Sequence, residues 1–473
     1  MTAASKAIAS QGLKRRALSL GMVKAFDQAM QFLLPVVLVR CLDAATFGEY
    51  RLLWLIVGTL LYVGTLNMAG GLYFFLPRSG PEQRRLYIHQ TWIYLAAVGL
   101  LCGLAVGLLN PLAKYGALVP AFIALWFASL LLEYLPTIDE RVGWQAAATI
   151  TVSLVRVVLL GAGAWLTGDM QVMLWLLIAA AMLKLGLLFF YVRRHHGLGR
   201  PWFRREVFTG QFRHSAPFGL SAALYGLRHQ SDQWVAATLF ALHSFAAFSI
   251  AAILGQVVNL VRTAVMEAFL PSMSRMHADG EHAGMLDMNA RANVLVAGLL
   301  YPLLAFVFVY ADEIITVVYT AEYLEAAPVM RVYALGMATL AVEVGSLLLL
   351  LRQGPYAIGV NAVALALSVA ISFTGALYLG LPGAAAGSVL ALVLDRALTL
   401  RRIATHTGVP LRRLQNWRGL AHAALVAVVG GALATGVTHA FFAGAAPLAR
   451  LAAGAVVLAV VYWLFILRRG SGK

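Results

Sequence analysis

Apolar runs of about twenty residues, separated by short polar connections, fill most of this chain. A helix rising 1.5 Å per residue needs about 20 residues to cross a hydrocarbon layer of about 30 Å. The pattern therefore predicts fourteen membrane-spanning helices, at residues 18–39, 50–76, 87–109, 117–136, 145–167, 171–192, 216–241, 245–271, 292–311, 328–351, 356–379, 382–400, 419–442 and 449–467. The tightest divisions fall at 167–171, 242–244 and 379–382.

Several runs carry polar positions at helical spacing. In the first, Lys24, Asp27, Gln28, Gln31 and Pro35 stand at offsets 0, 3, 4, 7 and 11, one narrow stripe of a helix. The seventh repeats the design with Ser221, Tyr225, Arg228 and Asp232, and the eighth with Gln256, Asn259, Thr263 and Glu267 beside Arg262. The fifth presents Thr149, Ser153 and Arg156, and the second Arg51, Gly58, Tyr62 and Thr65. An ionised group at the bilayer centre costs about 2.5–3.5 kcal/mol. Lys24, Asp27, Arg156, Arg228, Asp232, Arg262 and Glu267 would together cost about 20 kcal/mol facing lipid, more than a fold stable by about 5–15 kcal/mol can carry. The stripes therefore face protein or a water-filled cavity.

Composition fixes the class. The 473 residues are 61% hydrophobic and 12% charged, with a mean hydropathy of +0.81, which predicts an all-α polytopic membrane protein. The net charge of +16 does not imply a nucleic-acid partner, because the basic residues gather on one side. With the N-terminus inside, 25 Lys and Arg fall in cytoplasmic segments and only Arg40, Arg51, Lys114 and Arg450 outside. Both termini are expected in the cytoplasm. The basic N-terminus lacks an A-x-A cleavage site, so no signal peptide is expected. Cys41 and Cys102 match no disulfide, redox or metal spacing.

The longest polar connection, 193–214, follows six spans and precedes six more. Asp-Gln recurs at 27–28 and 232–233, in the corresponding helix of each half. The expected organisation is a six-helix lobe over 1–192, a basic cytoplasmic linker over 193–214, a second six-helix lobe over 215–400, a basic connection over 401–418, and two further helices with a tail over 419–473. The basic connections suit lipid head groups rather than nucleic acid.

Pairing within the membrane, such as Arg228 with Asp232 at i, i+4, absorbs part of the embedded charge. Yet Arg51 and the deeper Lys184 bring the basic groups to six against three acidic. Arginine binds phosphate through a planar two-donor fork and stays charged. A net positive cavity formed by Lys24, Arg51, Arg156, Arg228 and Arg262 is expected to take an anionic head group. Asp27, Asp232, Glu267 and Glu343, the last an isolated carboxylate in the tenth run, are expected to support these groups or to couple transport to a proton or sodium gradient; no cofactor and no catalytic residue are expected.

Three stretches resemble the polysaccharide transporter family, the O-antigen-type (Wzx-like) flippases of the multidrug, oligosaccharidyl-lipid and polysaccharide exporter superfamily. They are LDAATFGEYRL at Leu42–Leu52, LPSMSRMHADGEHAG after the eighth span, and IITVVYTAEYLEAAPVMRVYALG at Ile314–Gly336, where Tyr319 and Thr320 replace the usual Phe-Gly. The resemblance implies two six-helix lobes in a V around a central cationic cavity that opens alternately to either face. It implies an undecaprenyl-diphosphate-linked oligosaccharide as cargo, the inner membrane as location, and other polysaccharide assembly proteins as partners. Competing expectations are a multidrug or lipid II exporter of the same superfamily, or a membrane polymerase or ligase. Cationic drugs call for an acidic cavity, and such enzymes for a sizeable outer loop.

The orientation is open to cysteine labelling. In a chain lacking Cys41 and Cys102, Ala45→Cys should react with an impermeant thiol reagent applied from outside and Arg200→Cys should not; the reverse pattern inverts the topology.

Overall fold

The computed structural model describes residues 3–109 and 111–467, with side chains within 21–108 and 112–465. The basic side chains of Lys6, Lys14, Arg15, Arg16, Arg468, Arg469 and Lys473 lie outside what it describes. The fold is all-α, and each of the fourteen apolar runs falls on helix. Two compact units divide the chain, Met1–Gly226 and Leu227–Lys473.

The first unit holds α1 (Ala3–Leu38), α2 (Ala44–Gly64), α3 (Met68–Phe75), α4 (Pro81–Leu109), α5 (Leu118–Ala128), α6 (Leu135–Ile138), α7 (Val142–Thr167), α8 (Met170–His195) and most of α9 (Arg205–Leu239). The LDAATFGEY stretch explains the start of α2. Asp43 caps it, accepting hydrogen bonds from the Ala45 and Thr46 backbone N–H at 3.0 Å each. Glu49, buried in its second turn, takes Lys114 Nζ at 2.5 Å and the Tyr115 hydroxyl. α4 lies against α5 along Gly99, Gly103 and Gly107, one face at four-residue spacing. A Cβ at Gly99 would sit 2.4 Å from Phe127 Cβ, and one at Gly103 2.6 Å from the Pro120 carbonyl oxygen. Lipid is as apolar as leucine, so close backbone approach rather than hydrophobic burial holds such a pair.

The basic connection after α8 is tied to its unit. Asp139 accepts hydrogen bonds from Arg84 at 2.8 Å and Tyr191 at 2.7 Å and pairs with His196 at 2.6 Å. Burial alone would push the Asp139 carboxyl up, but the His196 and Tyr191 hydrogen bonds and the neighbouring His196 and Arg84 charges outweigh it and hold the carboxyl below its usual range. His89 stacks on Trp202 at 4.3 Å.

The second unit holds the end of α9, then α10 (Leu242–Ala252), α11 (Leu254–Ala278), α12 (His282–Val309), α13 (Ala311–Ile314), α14 (Ala326–Met337), α15 (Gly345–Leu350), α16 (Gly354–Thr407), α17 (Leu411–Leu414), α18 (Trp417–Phe442) and α19 (Pro447–Tyr462). α12 packs on both α11 and α18, and α19 packs on α18. The last two helices are therefore built into this unit, although their lack of charge makes them look peripheral in sequence. A Cβ at Gly454 would meet the Tyr310 ring at 2.3 Å.

Among the described residues, ten helices are long and apolar enough to cross a bilayer by length and composition. The runs outside that set have physical reasons. α1 and α9 are diluted by their polar stripes, the tenth run breaks between α14 and α15, and α16 holds the eleventh and twelfth runs together. Within α16 the chain reverses at Gly380, whose φ of 65° and ψ of −146° suit glycine alone. The two arms close at Gly375, Gly383 and Gly387: a Cβ on Gly383 would lie 2.0 Å from the Gly375 carbonyl oxygen, and one on Gly387 2.2 Å from Ser372 Oγ.

Gly380→Ala and Gly383→Ala should each lower the thermal stability of the detergent-purified protein by about 1–3 kcal/mol. Gly359→Ala, whose Cβ meets nothing within 4 Å, should be neutral or stabilising by up to about 1 kcal/mol. Equal melting temperatures for all three would refute the close-packed hairpin.

Candidate functional site

Each unit buries its own charged constellation. In the first unit α1 packs on α7, and Asp27 accepts hydrogen bonds from the Ser153 hydroxyl and, at 2.8 Å, from Gln31. Arg156, one turn beyond Ser153, stands beside Trp54 at 5.7 Å and Trp126 at 6.0 Å, and its Nε–H is buried without an acceptor among the described residues. Lys184 is buried, lies 4.3 Å from the Trp126 ring centre and pairs with Glu133. Indole faces favour a cation without neutralising it, so the basic character survives burial. Arg51 is half-buried on α2, and Lys24 is exposed on α1.

In the second unit the polar stripe of α9 divides. Arg228 pairs with Asp395 of α16 at 3.3 Å, and Asp232 accepts a hydrogen bond from the Tyr333 hydroxyl of α14 at 2.6 Å. This corrects the expected Arg228–Asp232 pair. The carboxylate one turn away accepts from Tyr333, and the guanidinium reaches a carboxylate on a neighbouring helix. Arg228, His229, Asp232, Tyr333, Met337 and Ser388 line a cavity of about 50 Å³. That volume holds a few waters or a small ion, not a sugar.

Farther along, Glu343 stands in the break between α14 and α15, where Val342 has a ψ of 84° and Val344 a φ of −133°. It is not isolated. Its Oε1 accepts from the backbone N–H of Gly345 at 2.7 Å and Ser346 at 3.2 Å. Its Oε2 takes Arg262 Nη1, and Arg396 Nη2 lies 4.0 Å from the same oxygen. The Glu343 carbonyl oxygen accepts from Asn289 and Asn293, each at 3.1 Å, and its N–H donates to Asn293 at 3.1 Å. Gln415 accepts from Asn293 at 2.9 Å and donates to Asn289 at 3.3 Å. The backbone groups freed by breaking the helix are thus met by side chains, as burial requires. Glu267 is exposed.

The structure therefore brings Arg262 and Glu343 together, Asp27 to Ser153 near Arg156, and Arg228 and Asp232 around one small cavity. Sequence reasoning missed Asp395, Arg396, Tyr333, Asn289, Asn293 and Gln415. The signals were an adjacent Asp-Arg inside an apolar run and an i, i+4 asparagine pair straddling the start of another.

Comparison with known proteins places this geometry in context. Residues 137–328 match a family described as polysaccharide biosynthesis protein. No curated protein matches the chain in sequence. In structure the chain is similar to the lipid II flippase MurJ in an inward closed conformation, at 12% identity and a TM-score of 0.73, covering 94% of this chain and 98% of that one. It is similar to an inward-facing multidrug resistance MATE family transporter of the MOP superfamily, at 12% identity and a TM-score of 0.64, covering 81% and 96%. A mutant of the Vibrio cholerae MATE transporter VcmN matches at 13% identity and a TM-score of 0.57, covering 87% and 99%. The chain is thus a multi-pass membrane protein with the fold of these flippases and transporters.

Removing one member of a buried ion pair costs about 3–5 kcal/mol, because the other charge is left uncompensated. Arg228→Ala should therefore lower the melting temperature and the yield of folded protein, and Arg228→Ala with Asp395→Ala should recover most of both. The double change with Asp232→Ala should not. Recovery in the Asp232 combination alone would show that the functional pairing is the one within α9.

Proposed function

We propose that this protein is a flippase that carries an undecaprenyl-diphosphate-linked oligosaccharide, a repeat unit of O-antigen, capsule or exopolysaccharide, across the bacterial inner membrane by alternating access. The observation that carries the reading is basic: embedded arginines whose buried N–H donors lack acceptors among the described residues, at Arg156, Arg262 and Arg396. Buried donors are seldom left unmet in native folds, and a diphosphate supplies several charged acceptors at once. The diphosphate would be met by Lys24, Arg51 and Arg156 of the first unit and by Arg228 and Arg262 of the second while the polyprenyl tail stays in lipid. Cargo enters from the cytoplasmic leaflet, both termini are cytoplasmic, and the work is translocation rather than bond making. The polysaccharide-biosynthesis family match supports the glycan, and the fold supports transport.

Asp232, in its small cavity with His229 and Tyr333, is the group best placed to couple the cycle to a proton or sodium gradient. Asp27, Glu267 and Glu343 are supporting groups in this scheme. A second reading, a lipid II exporter, is favoured by the similarity to MurJ, and a multidrug exporter by the MATE similarities. The embedded basic groups suit the diphosphate of either lipid better than a cationic drug.

In proteoliposomes carrying a polyprenyl-diphosphate-linked glycan, Arg156→Ala should lower translocation by a few tens-fold to a few thousand-fold, the loss of about 2–5 kcal/mol from a desolvated charge-assisted contact. Arg156→Lys should fall between Ala and wild type. Unchanged translocation in Arg156→Ala at equal folded amounts refutes the diphosphate reading, and transport of lipid II in preference to the glycan establishes the second.

A further inference from the structure

In the second unit two half-buried guanidiniums converge on one buried carboxylate. The two oxygens of Glu343 have separate duties: Oε1 caps the first turn of α15, and Oε2 faces both Arg262 and Arg396. Arg262 is further oriented by Asn259, which accepts from its Nη2 at 2.9 Å. Arg396 stands at 4.0 Å, within ion-pair range but beyond a hydrogen bond. The Nε–H of each arginine is buried and has no acceptor among the described residues. The cluster holds two positive charges against one negative, and a single carboxylate oxygen cannot satisfy two planar forks. Something with more oxygens and more charge would.

We infer that Glu343 is the resident counter-ion of an anion site whose second arm is Arg396, and that the diphosphate of the cargo displaces Glu343 Oε2 from between Arg262 and Arg396. The inference rests on the lipid-diphosphate reading above and adds to it a residue and a competition. The carboxylate keeps the two arginines compensated while the carrier is empty, and its return between them helps to expel the cargo. Affinity is thereby held down in favour of release. The broken helix makes this workable, because the Glu343 backbone is fixed by Asn289 and Asn293 and its Oε1 by α15. Oε2 alone is free to change partners.

The test uses the full-length protein in nanodiscs of phosphatidylcholine, with farnesyl diphosphate as the probe. Glu343→Gln keeps an Oε1 to cap α15 and removes the competing charge. It should bind the probe on the order of ten-fold more tightly than wild type and flip a polyprenyl-diphosphate glycan more slowly. Arg396→Ala should bind on the order of ten-fold more weakly, with Arg396→Lys between. A merely structural Glu343 would not raise affinity while slowing transport. If wild type and Arg262→Ala differ as the diphosphate reading expects, but Glu343→Gln binds no more tightly or Arg396→Ala binds unchanged, the inference falls and the reading stands. If wild type does not bind the probe, both fall. Should Glu343→Gln fail to fold, the Arg396 pair decides, since Arg396 stands farther from the carboxylate than Arg262 does.

Discussion

Charge inside an apolar solvent has to be answered locally, and the arrangement of both units follows from that requirement. Water is not at hand to solvate an embedded arginine, and lipid offers nothing in exchange. Among the described residues, four of the basic groups are met by an acid or an aromatic face: Arg228 by Asp395, Arg262 by Glu343, Lys184 by Glu133 and Trp126, Arg156 by Trp54 and Trp126. Helices that in water would be gathered by hydrophobic burial are positioned here by these polar ties and by close backbone contact.

The answers differ in completeness, and the difference separates holding from binding. Glu49, clasped by Lys114 and Tyr115 near the start of α2, is a closed arrangement that fixes one segment to another. Among the described residues Arg156 is met by rings, which leave its charge intact. Arg262 and Arg396 divide one oxygen. The incomplete sites are the ones that can accept something from outside the chain. Gln415 lends this a longer reach. It lies in the connection before α18 yet bonds to both asparagines that hold the Glu343 backbone, so the state of that basic connection bears on the geometry of the arginine pair.

The fold was legible in the sequence because membrane crossing imposes a length and a composition, and every run of the right length became helix. The embedded stripes were legible for the same reason, since a charge at helical spacing in an apolar run is conspicuous. Partners were not. The pattern within one helix suggests i, i+4 neighbours, so Arg228 seemed destined for Asp232, whereas packing set it against Asp395 on a helix more than 150 residues later. Nor could spacing reveal that the run around Glu343 breaks. Its neighbours Val342, Val344 and Gly345 are ordinary in an apolar helix, and the groups that make the break tolerable, Asn289, Asn293 and Gln415, come from elsewhere. Asp395 and Arg396 escaped notice where an apolar run passes into the basic Arg401 and Arg402.

The reversal at Gly380 leaves almost no chain between two membrane-crossing arms, and what surrounds it is apolar: Leu377, Tyr378 and Leu379 are largely exposed. A tip of that kind belongs among lipid head groups rather than in water. It offers no hydrated peptide for a protease to enter, for an antibody to grip or for an inserted epitope to occupy. Topology reporters placed there would distort the hairpin they were meant to locate, so the connections on either side of it, not the tip itself, are the places from which its orientation can be read.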